Sequence, residues 1–202
     1  MRAIASALEG VAPLNAHWRQ LVQFAASYYQ RSPGEVALAA LPGQLRDLSA
    51  EQWARRLKRK PKPVAAFEGA TQTVPTPTHE QAHVLADIAA QKGPFLLFGN
   101  TGSGKTEVYL RAAQDVLTGD PRAQILVMVP EINLTPQLEA RFRERFVPQW
   151  GEQCLVTMHS GLTPAQRLNH WLAAHNGQAR IVLGTRMAVF ASMPQLQLIV
   201  VD

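Results

Sequence analysis

From residue 78 onward, short apolar runs alternate with stretches of helical period. The runs FLLF at 95–98, ILVMV at 125–129 and LIVV at 198–201 contain no polar alternation. Such runs suit strands buried on both faces, as in a parallel sheet covered by helices. The pattern predicts helix 79–91, strand 94–98, helix 105–118, strand 124–129, helix 135–146, strand 154–158, helix 164–175, strand 180–183 and strand 196–201. That alternation defines an α/β architecture, whose ligands lie beyond the carboxyl ends of the strands.

The first third is patterned differently. In 14–30, Leu14, Trp18, Leu21, Val22, Ala25 and Tyr29 recur at helical spacing, until Ser32, Pro33 and Gly34 break the run. A second helix is expected at 34–41, ended by Pro42 and Gly43. Ser49 with Gln52 three positions on opens a third. Short helices with a basic exit fit either a small helical module or a winged helix. Pro61, Pro63, Pro75 and Pro77, interleaved with threonines, read as an extended linker, placing a domain boundary near residue 73.

Composition narrows the class. With 47% hydrophobic and 17% charged residues, wholesale disorder is excluded. Cys154, the single cysteine, excludes an internal disulfide framework and an all-cysteine zinc site, and fits a reducing cytoplasm. The apolar runs are too short for a bilayer, and Glu9 and Gly10 interrupt any leader-like start. The net charge is +5, and residues 1–70 hold all the excess, with ten Lys/Arg against five Asp/Glu. Arg55, Arg56, Lys58, Arg59, Lys60 and Lys62 form one basic run. It reads equally as a phosphate-attracting patch or as a solvated helix end. Trp18, Trp53, Trp150 and Trp171 have apolar neighbours at helical spacing and read as core before base-stacking platforms. His17, His79, His83, His170 and His175 show no metal-ligand spacing.

The chemistry is concentrated in Gly99, Asn100, Thr101, Gly102, Ser103, Gly104, Lys105 and Thr106, a full match to G-x-x-x-x-G-K-[ST]. Gly102 and Gly104 let successive N–H groups face inward as an anion nest at a helix N-terminus. Lys105 is placed to reach the β- and γ-phosphates of ATP, and Thr106 to ligate Mg²⁺. The run LIVV ends on Asp202, a carboxylate at a strand end, the usual second half of such a magnesium site. A GTPase reading lacks an N-K-x-D motif. A P-loop kinase reading would have to recruit Arg141, Arg143 and Arg145 as a lid.

These segments resemble the bacterial primosomal replication-restart helicases of superfamily 2, the primosomal protein N′ (PriA) family. Residues 129–137 agree with its V-P-E-I-x-L-T-P-Q segment at eight of nine positions, Asn133 falling on the variable one. Gln81, just upstream of the P-loop, resembles the adenine-reading Q-motif. His159, Ser160, Gly161 and Leu162, and the stretch 181–186, are similar to its next two motifs. Residues 25–29, 34–36 and 40–42 resemble the winged-helix domain before its helicase core.

The resemblance implies a winged-helix-like, mainly helical domain with its linker at 1–72, then a RecA-like P-loop lobe at 73–202. It implies an ATP-dependent 3′-to-5′ DNA helicase that binds forked DNA and restarts replication through primosome assembly. Lys105 and Asp202 would be catalytic, with Gln81 and residues 99–106 on the nucleotide and Thr106 and Asp202 on Mg²⁺. Pro130, Thr135, Thr185 and Arg186 would face DNA; His159 would contact phosphate or serve as a turn residue. Implied partners are forked or single-stranded DNA, other primosome proteins and single-strand-binding protein, in the cytoplasm. A 3′-end-binding domain, the Glu-Glu-His after the Walker B aspartate, the second lobe with its arginine finger and the zinc ligands of the full-length family are all missing from this sequence. The expectation is therefore a fragment that binds nucleotide and DNA with almost no turnover. The alternative is a non-hydrolysing nucleotide- and DNA-binding remnant.

Overall fold

A computed structural model of the chain describes residues 10–58, 75–130 and 135–202. Four helices come first: α1 (Ala16–Tyr28), α2 (Pro33–Ala40), α3 (Gln44–Asp47) and α4 (Ala50–Lys58). Side-chain oxygens start three of them. Asn15 accepts from Trp18 N–H at 2.8 Å, and Ser32 and Ser49 form capping boxes with Glu35 and Gln52. Each cap satisfies N–H groups that a first helical turn otherwise leaves open. Regular structure within 10–58 is all helical, as the mainly helical reading expects. Pro61 and Pro63 of the Pro-rich stretch, and Arg59, Lys60 and Lys62 of the basic run, fall at 59–74, outside the described residues.

The second region builds α5 (His79–Ala90), α6 (Lys105–Gly119), α7 (Pro136–Trp150) and α8 (Pro164–His175) around a four-stranded sheet. Its strands are β1 (Gln124–Met128), β2 (Leu155–Met158), β3 (Ile181–Gly184) and β4 (Leu196–Val201), in the order β2-β3-β1-β4, all parallel. Ile125 pairs with Ile181 and Val127 with Leu183. β-residues alternate between faces, so each strand feeds two cores. Ile125, Val127, Ile181 and Leu183 pack with Tyr109, Phe142 and Phe146 of α6 and α7. Leu126, Val156 and Val182 pack on the opposite face with Ala174 of α8 and Met193. β1, β2 and β3 are thus covered on both faces, as the run at 125–129 predicts, whereas β4 is largely exposed, so the run at 198–201 is not buried on both faces.

One predicted strand does not form. Residues 94–98 pair with no strand among the described residues, and Leu96 and Phe98 are 90% and 91% exposed. A strand exists only where a neighbour accepts its N–H and C=O groups. The outer edge of β4 pairs with no described strand, and Ile199 and Val201 stand exposed on it. An apolar run specifies burial, whereas its ladder must come from elsewhere in the fold. The other strands and helices lie within a few residues of expectation, α7 running on past Pro148 to Trp150. Trp18, Trp53 and Trp171 are buried, and Trp150 packs against the core beneath the Arg180 guanidinium at 5.6 Å, as the core reading holds.

Two polar side chains hold the sheet's amino edge. Gln124 is fully buried yet satisfied. Its amide donates to Ala174 O and Ala179 O at 2.7 and 2.8 Å, and its carbonyl accepts from Gln195 N–H at 3.0 Å. Arg180 donates to Leu117 O, Asp120 O and Ala123 O, closing the carboxyl end of α6. The helical region is fastened to the sheet region. Trp18 Nε1–H donates to Phe190 O at 2.8 Å, and His175 Nε2 meets Ala12 O at 2.8 Å.

Candidate functional site

The carboxyl ends of the strands gather the residues singled out by sequence. Residues 99–104 form the loop that enters α6. Gly102 and Gly104 have φ of +83° and +84°, the left-handed region that glycine enters without a Cβ clash. At Gly104 the neighbour is close as well: a Cβ there would meet Gln81 Nε2 at 2.4 Å. Lys105 opens α6 and folds over the loop, Nζ donating to Gly99 O at 2.7 Å and Asn100 O at 2.9 Å. The ammonium is thus held across the cradle that the loop N–H groups would offer a phosphate.

Gln81 lies at the start of α5, where it has two tasks. Its Oε1 accepts from Thr78 N–H at 3.0 Å in a capping box, and its Nε2 donates to Gly104 O at 3.3 Å. The glutamine fastens α5 to the P-loop, a contact that sequence spacing alone does not contain.

Asp202 follows β4, its N–H donating to Met128 O at 2.9 Å. Tyr109, one turn along α6 from Lys105, donates to Asp202 Oδ2 at 3.4 Å. Burial, above all, raises the Tyr109 hydroxyl above its ordinary pKa. The sequence reading missed Tyr109, whose signal was its place on the P-loop helix facing the strand that carries Asp202. Thr106 hydroxyl and Asp202 carboxylate are hard oxygen donors of the kind magnesium takes. Among the described residues no cluster of three His, Cys, Asp or Glu competes as a metal site.

The remaining candidates line the same rim. Thr185 is largely buried; its N–H donates to Met158 O at 3.0 Å and its carbonyl starts the turn Arg186–Phe190. Arg186 is exposed and joins none of the ion pairs among the described residues. Thr135 caps α7, its hydroxyl accepting from Leu138 N–H at 3.3 Å. Pro130 is exposed at the end of β1, and residues 131–134 between the two lie outside the described residues. His159 Nδ1 accepts from Gly161 N–H at 3.2 Å, in a turn role. A cavity of about 320 Å³ opens beside Arg186, lined also by His159, Arg167, Trp171 and the end of α2. Cys154 ends a 3₁₀ turn rather than lying on β2, buried at 2% exposure.

A parallel sheet with a glycine-rich loop of the G-x-x-x-x-G-K-[ST] pattern at a helix N-terminus, facing an aspartate at a strand end, defines an α/β protein carrying the P-loop sequence pattern. The model of the DEAD/DEAH box helicase domain matches residues 78–202, and the chain belongs to that family. It is similar to the replication restart protein PriA of Bacillus subtilis, 40% identical over 138 residues, which are 68% of this chain and 15% of the relative. The PriA of Haemophilus influenzae is 45% identical over 125 residues, 61% of this chain and 16% of the relative. That of Treponema pallidum is 32% identical over 179 residues, 88% of this chain and 25% of the relative. The chain therefore spans between 15% and 25% of the length of these relatives. The family implies use of ATP and Mg²⁺. No helix among the described residues is long and apolar enough to cross a membrane.

Proposed function

We propose that this chain supplies the nucleotide-binding lobe of an ATP-dependent 3′-to-5′ DNA helicase, acting in the cytoplasm on forked or single-stranded DNA to restart replication. Primosome proteins and single-strand-binding protein would be its partners there. The carrying observation is the P-loop at the start of α6 with Asp202 in reach of the same helix through Tyr109.

On this reading, residues 99–104 receive the phosphates with backbone N–H groups, and Lys105 exchanges its bonds to Gly99 O and Asn100 O for phosphate oxygens. A magnesium ion held at this site would supply positive charge against the phosphates. Thr106 and Asp202 hold that ion, Gln81 stands where α5 meets the P-loop as an adenine contact, and the α6 N-terminus adds its partial positive charge. Transferring a phosphoryl group needs charges preorganised on every side of it. This chain provides one wall of such a cleft, which supports weak nucleotide binding with little turnover. DNA is placed along Pro130, Thr135, Thr185 and Arg186, with Arg186 free to neutralise a phosphate.

Equilibrium titration of the chain with a fluorescent ATP analogue and with labelled single-stranded DNA tests the proposal. Expected are Lys105-dependent nucleotide binding and salt-sensitive DNA binding. Nucleotide binding that survives Lys105→Ala would overturn the site.

A further inference from the structure

The cavity of about 320 Å³ beside Arg186 is walled jointly by the helical region and the sheet region. Leu41 at the end of α2, Trp171 of α8, and Met187 and Phe190 of the turn after β3 make it apolar. Arg167, Arg186 and His159 also line it, and no lining residue is acidic. Neither arginine joins an ion pair among the described residues, and Arg167 donates to Ser160 O across a long 3.5 Å. His159 Nδ1 accepts from Gly161 N–H, so in the neutral ring Nε2 carries the proton and is a donor. Trp171 is 4% exposed, and its indole N–H is buried without an acceptor among the described residues. Native structures leave few such donors unpaired.

An apolar cleft bordered by donors and cations suits a flat apolar body that carries acceptors on its edge and negative charge alongside. A nucleobase on its phosphate backbone has all three. The volume lies at the small end of ligand clefts, enough for one base and too little for a helix or a duplex. A base still paired in a duplex cannot reach such a recess, so the strand must be single. We propose that this cavity receives one unstacked base of a DNA single strand whose backbone phosphate lies on Arg186. The proposal rests on the DNA reading above and adds a contact to a base, shared between α2 and the lobe.

The experiment is an anisotropy titration of the chain with a labelled single strand and with a fully abasic strand of equal length, which keeps the phosphates and lacks the bases. Wild type is expected to bind the intact strand about tenfold more tightly. Ala39 is exposed on α2 and lines the cavity, so Ala39→Trp fills the recess without removing a cation. That variant should bind both strands as weakly as wild type binds the abasic one. Salt slopes should match throughout, because the phosphate contacts are untouched. Should Ala39→Trp melt lower than wild type, wild type alone decides: a 2-aminopurine base in the strand is expected to become shielded from acrylamide on binding, and an accessible one overturns the proposal. Equal affinity of wild type for the two strands, or a preference that survives in folded Ala39→Trp, overturns the base cavity alone. Failure to bind either strand, or a salt slope that Arg186→Ala leaves unchanged, overturns the DNA reading and the proposal with it.

Discussion

Arg145 grips Glu107 through both carboxylate oxygens, at 2.6 and 2.7 Å, clamping α7 to the first turn of α6 beside Thr106. The two side chains are 11% and 16% exposed, and Arg111 adds a second cation to Glu107 at 2.8 Å. Both bonds come from one guanidinium nitrogen, Nη2, while Nη1 donates to Gln114 Oε1 at 3.3 Å, and such short charge-assisted bonds are stronger than neutral ones.

Removing the carboxylate leaves two guanidinium groups facing each other with little water. Glu107→Ala is expected to cost about 2 kcal/mol, below the full penalty for a wholly buried pair. In a chain of this size that lowers the melting temperature by about 4–8 °C. Thermal denaturation followed by circular dichroism reads this directly, and an unchanged midpoint would show the clamp to be dispensable.

Gly184 closes β3 where it turns into Thr185. A Cβ there would lie 2.4 Å from Ala188 Cβ and 2.7 Å from Met158 O. The Met158 carbonyl cannot retreat, because it accepts from Thr185 N–H. Gly184→Ala should therefore destabilise by about 1–3 kcal/mol, as overpacked cores do. It should also displace the turn carrying Arg186, so DNA affinity is expected to fall together with the melting temperature.

Arg186→Ala tests the DNA face without touching the core. One lost phosphate contact is expected to reduce the slope of log affinity against log salt by about one. Stability should be unaffected, since the side chain is exposed and unpaired among the described residues. Binding isotherms at several salt concentrations measure the slope, and identical slopes would remove Arg186 from the interface.

Burial pushes the Cys154 thiol up to about 11. The folded state then holds its proton more tightly than the unfolded chain does. Its contribution to stability is complete below the ordinary thiol pKa and is lost as pH rises through the folded value. Stability should decline between about pH 9 and 11 in wild type and less steeply in Cys154→Ala. At pH 8 the native thiol should resist a disulfide reagent that labels it at once in denaturant.

Local signals made most of the fold legible. Capping residues at 15, 32, 49, 78, 135 and 163 mark helix starts, and each side chain caps as its chemistry dictates. The P-loop was legible for the same reason, because its chemistry lies in one continuous stretch. Residues 94–98 misled, since pairing is decided by the strand alongside and not by the run itself. Tyr109 and the Gln81–Gly104 contact stayed hidden because their partners lie 93 and 23 positions away. No spacing rule brings such partners together.

The helical region touches the sheet region through Trp18 at Phe190, through His175 at Ala12, and where α3 meets α8. Two fastenings would leave a single axis of swing; a third removes it. The front helices are therefore fastened to the sheet region at three points, and a displacement of one would carry the other. The stacked Phe24 and Tyr28 rings on α1 would sweep the same arc as Arg186.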